Sequence, residues 1–434
     1  MRIGLFSDTY LPDVNGVVTS VELLRKKLSQ LGHEVFVICT HKGLLKVERD
    51  GNIIRLPGIE VKKLYGYALT SPIHPLMIDE IRKLDLDLIH LHTEFGVGIF
   101  GQMCAESLHL PLVRTYHTTY EDYTHYINIF NSDSFDKIAK KVVINWTKYL
   151  GKHCLRMIVP SKKTYDLLKS SYGMGVKAEI IPTGIELDRF DRVHSDHSKV
   201  AMIRKECHVK DNELMLLFVG RIAQEKSIDM LLKMMKIAKD KKLPAKLVIV
   251  GGGPDENNLK DMANELELGD VAIFVGKKPF SEVPSYYHAA DAFISASTSE
   301  TQGMTYLEAM ASGNIIFARR DECVKDLLFE EENGFYFDDE KELYQKVEKL
   351  WSLDKAKREE MKEKGLTLAK EYDADTFVRK VMNVYNSAMS EFHDYYLLKD
   401  VRLYNDYVKL KLENGYKEKE DLVVSLDDFL NEGL

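Results

Sequence analysis

The chain has 434 residues, with 60 Lys and Arg against 68 Asp and Glu and a formal net charge of −8. Its 45% hydrophobic and 29% charged residues are the balance of a soluble globular protein, which excludes disorder as the main state, and the net negative charge argues against general nucleic-acid binding. Five scattered cysteines (Cys39, Cys104, Cys154, Cys207 and Cys323), never in a CxxC, signal neither a disulfide framework nor structural zinc. No apolar run approaches the ~18 residues of a membrane span, and Met1–Phe6 is too short for a signal-peptide core before Asp8, so a reduced, cytoplasmic protein is expected. At roughly 100–200 residues per domain, the length implies two to three domains.

Residues 2–7 (RIGLFS) read as a buried opening strand. After a loop with Pro12 and Gly16, the residues Val17, Val18, Val21, Leu24, Leu28 and Leu31 recur at helical spacing until Gly32, a plausible C-cap. Strands follow at 34–40, 87–92, 111–116, 157–160 and 179–182, with helical patterns between them. A polar stretch at about 186–212 interrupts the rhythm, which resumes with strands at 214–219, 246–250, 271–275, 292–296 and 315–318. Such alternation implies parallel sheets covered on both faces. The expectation is α/β, two doubly wound Rossmann-like domains facing a cleft: residues 1–190, then 191–372, a helix 373–395 returning to the first, and a tail 396–434 of unassigned role.

Open α/β sheets bind ligands at the carboxyl ends of their strands, so the loops there carry the chemistry. Gly16 stands at a helix N-terminus, where backbone N–H groups could approach a phosphate, although an ordinary turn glycine explains it equally well. The dinucleotide fingerprint G-x-G-x-x-G is missing from that loop, which counts against a nicotinamide or flavin enzyme. Arg221 and Lys226 follow the first strand of the second half and suit a diphosphate, Arg as a fork and Lys as a point charge. Gly251-Gly252-Gly253-Pro254 follows the next strand, with Gly252 at its centre and Pro254 suited to a first helical turn. The most specific segment is Ser299–Gly313 (SETQGMTYLEAMASG). Its turn amides at Gly303, Met304 and Thr305 point from a helix N-terminus, and Glu300 and Glu308 offer two carboxylates to vicinal hydroxyls.

Glu300-x7-Glu308, with the Gly16 loop and the Arg221/Lys226 pair, resembles the retaining glycosyltransferases of family 4, which have the GT-B fold. The resemblance spans roughly residues 1–395. It implies a nucleotide-sugar donor in the interdomain cleft, with Gly16, Arg221 and Lys226 at the diphosphate, Glu300 at the hydroxyls of the transferred sugar and Glu308 at the ribose. His117, in Thr115-Tyr116-His117-Thr118, matches the family histidine beside the sugar. Within the family, SETQGMTYLEAMASG and FSDTYLPDVNGVVTSVE look most like the bacterial 1,2-diacylglycerol 3-glucosyltransferases. That likeness implies a retaining hexosyltransferase moving glucose from UDP-glucose to diacylglycerol by front-face attack. No tightly bound cofactor or metal is expected, and Mg²⁺ enters only as a stimulating ion. Two departures are Ser227, where glycine usually follows the lysine, and Arg319-Arg320 after a strand. Asp85-Leu86-Asp87 has DxD spacing but falls at a strand start and reads as structural.

Residues 134–163 hold eight Lys and Arg against Asp136 alone, a net of +7 that leaves −15 for the rest. On a helix, Phe135, Ile138, Ala139, Val142, Trp146, Tyr149 and Leu150 form one stripe, and Lys137, Lys141, Lys148 and Lys152 another, with Lys140 nearby. A basic amphipathic helix with an interfacial aromatic fits peripheral docking on an anionic membrane, here the inner face of the cell membrane. The plainer reading packs the apolar stripe on the first sheet and solvates the lysines. Two other functions stay open: a family 4 enzyme acting on a polysaccharide, teichoic acid or soluble sugar, and a non-catalytic GT-B subunit that binds glycans.

Overall fold

A computed structural model of the chain describes residues 1–13, 15–43, 46–61, 67–118, 133–171, 173, 175 and 177–399. The tail from 400 onward therefore lies outside the described residues, as do the side chains of residues 133–139 in the basic helix.

The first sheet comprises β1 (Arg2–Ser7), β2 (Glu34–Lys42), β3 (Glu48–Asp50), β4 (Ile53–Val61), β5 (Tyr67–Leu69), β6 (Leu88–Leu91), β7 (Leu112–Thr115), β8 (Arg156–Val159) and β9 (Ala178–Ile180). They lie in the order β3-β4-β2-β1-β6-β7-β8-β9, with β5 paired to β4. All pairings are parallel except those of β3 and β5 with β4. The second sheet comprises β10 (Leu214–Val219), β11 (Ala245–Val250), β12 (Ala272–Gly276), β13 (Ala292–Ser295), β14 (Ile315–Arg319) and β15 (Gly334–Phe337), all parallel, in the order β12-β11-β10-β13-β14-β15. In each sheet the chain runs outward in one direction, then crosses back past its first strand. The switch points lie at β1/β6 and at β10/β13, and the loops leaving the carboxyl ends of those strands are where a doubly wound sheet takes its ligand.

Apolar side chains alternate to both faces of each sheet, so both faces carry a core. One face of the second sheet gathers Leu216, Phe218, Leu231, Met235 and Leu247, and the other Met215, Leu217, Val248, Phe293 and Tyr306. In the first sheet, Ile3, Leu5, Val21, Leu24 and Val37 face one core and Phe6, Ile38, Ile89 and Phe100 the other. The helix Ala374–Lys399 inserts Phe377, Val378, Val381, Val384, Tyr385 and Ala388 into the first of these. Burial of each of the valines and of Phe377 contributes roughly 1.5–3 kcal/mol. That outweighs the partly exposed Lys27–Asp375 pair at 2.6 Å, so apolar packing is what ties the end of the described chain to the first unit.

The structure departs from the sequence reading in three places. The stretch 186–212 is not an interruption: Leu187–Phe190 and His197–Glu206 are helical, and Phe190, Ile203, Cys207 and Val209 enter the second core. Strands β3, β4, β5 and β15 were not expected. Pro57 argues against a strand at 53–61, yet β3 faces residues 53–55 and β5 faces 59–61, so the proline falls where neither is paired and its missing N–H costs no ladder bond on that side. Pro254 stands in a turn, and the helix it was expected to open begins at Glu256.

Candidate active site

The loop after β13, residues 296–303, is held by the first unit on three sides. Gln302 is buried and makes a reciprocal pair with Thr183, whose N–H donates to Gln302 Oε1 at 2.7 Å while Gln302 Nε2 donates to the Thr183 carbonyl at 2.8 Å. Thr301 Oγ1 donates to the His117 carbonyl at 2.8 Å. Lys163 reaches across to the carbonyls of Thr298 and Glu300, at 3.0 and 3.3 Å, and to both oxygens of Asp321, at 2.9 and 2.8 Å. Thr183 also meets Ser20 at 3.3 Å, on the helix Gly16–Gln30. Lys163, one of the eight cations of residues 134–163, thus works between the two units, while Lys162 pairs with Asp166 at 2.5 Å.

Glu300 sits at the centre of this loop. Its carboxylate takes a hydrogen bond from Lys226 Nζ at 2.5 Å, across the β10/β13 switch point. Burial alone would push that carboxyl up; Lys226, with help from Ser297 and Lys163, outweighs it and holds Glu300 below the usual carboxylate range. Arg221 pairs with Glu225 at 2.6 Å on the same loop. Ser227, where glycine was the expected residue, adopts φ 47° and ψ 42° at the start of the helix Ile228–Asp240. The position demands left-handed backbone, so serine keeps the loop's shape at a steric cost.

The glycine run packs against the neighbouring loop. A Cβ on Gly251 would lie 1.8 Å from the Gly220 carbonyl oxygen, and one on Gly253 would lie 2.1 Å from that of Ile222. The outer two glycines therefore let this loop close against the Arg221 loop. Gly252 is buried between them, and its carbonyl accepts from Ile222 N–H at 3.2 Å. Gly303, at φ +75°, opens the helix Met304–Ala311, whose N-terminus has no side-chain cap. Met304 and Thr305 are half-buried in its first turn. One step along, Glu308 is 7% exposed and accepts from Tyr287 Oη at 2.8 Å. Burial pushes its carboxyl up to about 7, against the opposing pull of Tyr287 and Arg189.

From the first unit, Gly16 is exposed and a Cβ there would meet nothing within 4 Å, so no packing within the described residues requires a glycine. Asn15 caps that helix by accepting from Val18 N–H at 3.0 Å. His117 follows β7, half-buried, with Nε2 3.0 Å from His92 Nδ1. Burial pushes its imidazole down to about 4, so it is neutral near pH 7. Sequence reasoning assigned no role to Thr183, Lys163, Tyr287 and His92, nor to Thr301 and Gln302 within Ser299–Gly313. The expected strand ends at 92 and 182 were the positional signal for His92 and Thr183.

The helix Asp133–Lys152 turns Lys141, Val142, Trp146, Tyr149 and Lys152 outward; Trp146 and Tyr149 are stacked 5.6 Å apart, and Trp146 Nε1 donates to the Glu94 carbonyl at 3.2 Å. The expected apolar stripe divides: Leu150 is buried, while Val142 and Tyr149 are exposed. Lys148 is half-buried, as is Lys140, and the side chain of Lys137 lies outside the described residues. Asp87 accepts from Arg2 N–H at 2.7 Å at the amino end of β6, away from the ligand-binding ends of the strands. Arg320 pairs with Asp338 and Glu342 at 2.9 and 3.1 Å. Among the described residues no group of three or more His, Cys, Asp or Glu could hold a metal ion, and no helix is long and apolar enough to cross a membrane.

Residues 201–386 match the family model for glycosyl transferases group 1, and residues 14–189 that for glycosyltransferase family 4. The chain is 38% identical over 349 residues to an α-monoglucosyldiacylglycerol synthase of Streptococcus pneumoniae, covering 79% of this chain and 76% of that protein. It is 37% identical to the synthase of the same name from Acholeplasma laidlawii, covering 79% and 86%. A GDP-mannose-dependent α-mannosyltransferase of Corynebacterium glutamicum is more distant, at 27% over 83% of each chain. Among solved structures, sucrose-phosphate synthase of Thermosynechococcus elongatus superposes with a TM-score of 0.72 at 18% identity, over 90% of this chain and 99% of that one. Anabaena HepE in complex with UDP and glucose gives 0.69 at 16%, over 89% and 100%. These two establish the shared GT-B fold.

Proposed function

Because the chain belongs to glycosyltransferase family 4, we propose that it moves glucose from UDP-glucose to diacylglycerol, with retention, at an anionic membrane surface. The observation that carries the reading is the meeting of Lys226 and Glu300 from one unit with the His117 strand end from the other, joined by Thr301 at 2.8 Å. A diphosphate carries more negative charge than one carboxylate, so the arriving donor draws Lys226 to its phosphates and releases Glu300 to the hydroxyls of the sugar. Arg221 and the uncapped turn at Gly303–Thr305 then stabilise the charge that develops on the leaving diphosphate. Glu308 takes the ribose diol, and the Gly16 helix N-terminus faces the phosphates from the first unit. Gly252 shapes the loop beneath them.

The acceptor half of the reading rests on the likeness to the two monoglucosyldiacylglycerol synthases and on the outward Trp146, Tyr149 and Lys141 of the basic helix. An exposed aromatic pair among lysines suits the boundary between headgroups and acyl chains. The experiment that tests the donor offers UDP-glucose, UDP-galactose and GDP-mannose in turn to the protein with diacylglycerol in anionic vesicles. UDP-glucose is expected to give the highest kcat/KM; preference for GDP-mannose would align the chain with its more distant mannosyltransferase relatives instead.

A further inference from the structure

Behind His117 stands a row of buried polar side chains that donor binding does not use. His90, on β6, is 1% exposed, with Tyr385 Oη 2.7 Å from its Nδ1 and Thr115 Oγ1 2.7 Å from its Nε2. His92, two residues on and therefore on the same side of the strand, is also 1% exposed, its ring centroid 4.1 Å from that of His90. The His92 ring stacks at 5.3 Å on His117, with His92 Nδ1 at 3.0 Å from His117 Nε2. His92 Nε2 is buried with no hydrogen-bond partner among the described residues. The row begins on the helix Ala374–Lys399, at Tyr385, and ends at the cleft.

All three imidazoles are neutral: burial pushes His90 and His92 well below the ordinary histidine range and His117 to about 4. A neutral imidazole carries one N–H, so the contact between His92 and His117 holds one proton and admits two assignments. If His117 Nε2–H donates, the proton of His92 sits on Nε2, and a buried N–H is left unmade. If His92 Nδ1–H donates, His92 Nε2 leaves only a lone pair without a partner. Orphaned buried N–H groups are the rarer of the two, which selects the second assignment. His90 constrains neither choice, because both of its partners are hydroxyls that donate or accept.

We infer that His92 is a positioning residue for the transfer reaction: its Nδ1–H donates to His117 Nε2 and so fixes the His117 proton on Nδ1, the ring nitrogen that His92 does not engage. His117 then presents a hydrogen-bond donor to an oxygen of the transferred sugar. It has no lone pair left with which to take the acceptor's proton, and that task falls to the departing diphosphate. The inference rests on the glycosyl-transfer reading, and its first test does not depend on activity.

Imidazole ¹⁵N–¹H correlation spectra of the full chain labelled at histidine, with the His117 signals identified through His117→Asn, report where the proton lies. His117 is expected to show a protonated Nδ1 and a bare Nε2. A protonated Nε2 on His117 would overturn the inference, whether or not the protein transfers glucose. The second test compares His92→Asn, whose amide N–H stands about where Nδ1–H stood, with His92→Leu, which has no donor. At saturating UDP-glucose and diacylglycerol, His92→Asn is expected to keep kcat within about fivefold while His92→Leu loses about a hundredfold, with the donor KM changed little in both. Equal loss in the two variants, or no loss in either, would refute a positioning role.

Discussion

Donor binding should release a proton from Glu308. Its carboxyl is 7% exposed, takes a hydrogen bond from Tyr287 at 2.8 Å, and is pushed by burial up to about 7. A ribose diol that donates two hydrogen bonds selects the ionised carboxylate, so binding pulls the group across its titration. With a midpoint near 7, Glu308 is about nine-tenths protonated at pH 6 and one-tenth at pH 8; the apparent Kd for UDP-glucose should therefore be about tenfold weaker at pH 6, or ~1.4 kcal/mol. Both phosphates of UDP-glucose are esterified, so the ligand adds no titration of its own in this range. Calorimetry at pH 7, in two buffers of different ionisation enthalpy, should report about half a proton released per site. In Glu308→Gln affinity should be lower and the profile flat. Stability should respond as well: the folded-state value lies above the unfolded one, so the contribution of Glu308 is full below about 4.5 and is lost as the pH rises through about 7. Wild type should accordingly lose stability relative to Glu308→Gln between those limits. A Kd for the wild-type protein unchanged from pH 6 to pH 8, with no buffer dependence, would refute the ribose assignment.

Four further outcomes follow from the same contacts. Glu300→Ala is expected to lower turnover by about two to three orders of magnitude with the fold intact, as loss of a group acting at the reacting sugar does; near-normal activity removes that role. Lys163→Asp and Asp321→Lys should each lower kcat/KM by about tenfold, because both break the partly buried pair that steadies the Glu300 loop, and the double reversal should recover most of it; no recovery would mean that the cross-cleft pair does not act as a unit. Ser227→Gly removes a left-handed serine at φ 47° and should stabilise the protein by about 1 kcal/mol in denaturant titration; a loss of stability would show that the serine side chain has a role of its own. Lys141→Gln with Lys152→Gln should weaken binding to anionic vesicles by about 2 kcal/mol, roughly thirtyfold, in flotation at low salt; unchanged flotation would leave those lysines as solvated surface.

The two doubly wound sheets were legible because parallel strands buried on both faces appear as short apolar runs, as LMLLFV at 214–219 and KLVIV at 246–250 do. Some strands escaped for local reasons: Pro57 falls inside β4, and Gly334 opens β15. At the site, Glu300, Glu308, Arg221 and Lys226 stood out because their residue types and their places after strands coincide. The sequence could not show that Lys226 and Glu300 hold one another, since 74 positions separate them. The same holds for Lys163, a single cation in a basic run until the fold carries it 158 positions away to Asp321. The packing of the glycine run was equally hidden: the backbone oxygens that lie 1.8 and 2.1 Å from the Cβ positions of Gly251 and Gly253 come from a loop some thirty residues earlier.

The central claim, glucose transfer from UDP-glucose to diacylglycerol with retention, is tested most directly by the product. Radiolabelled UDP-glucose is incubated with the full chain and vesicles of diacylglycerol in anionic phospholipid, and the label is followed into the organic phase. The account predicts a labelled glycolipid that α-glucosidase cleaves and β-glucosidase does not. Label that stays in the aqueous phase while UDP is released, or a glycolipid that only β-glucosidase cleaves, would contradict it.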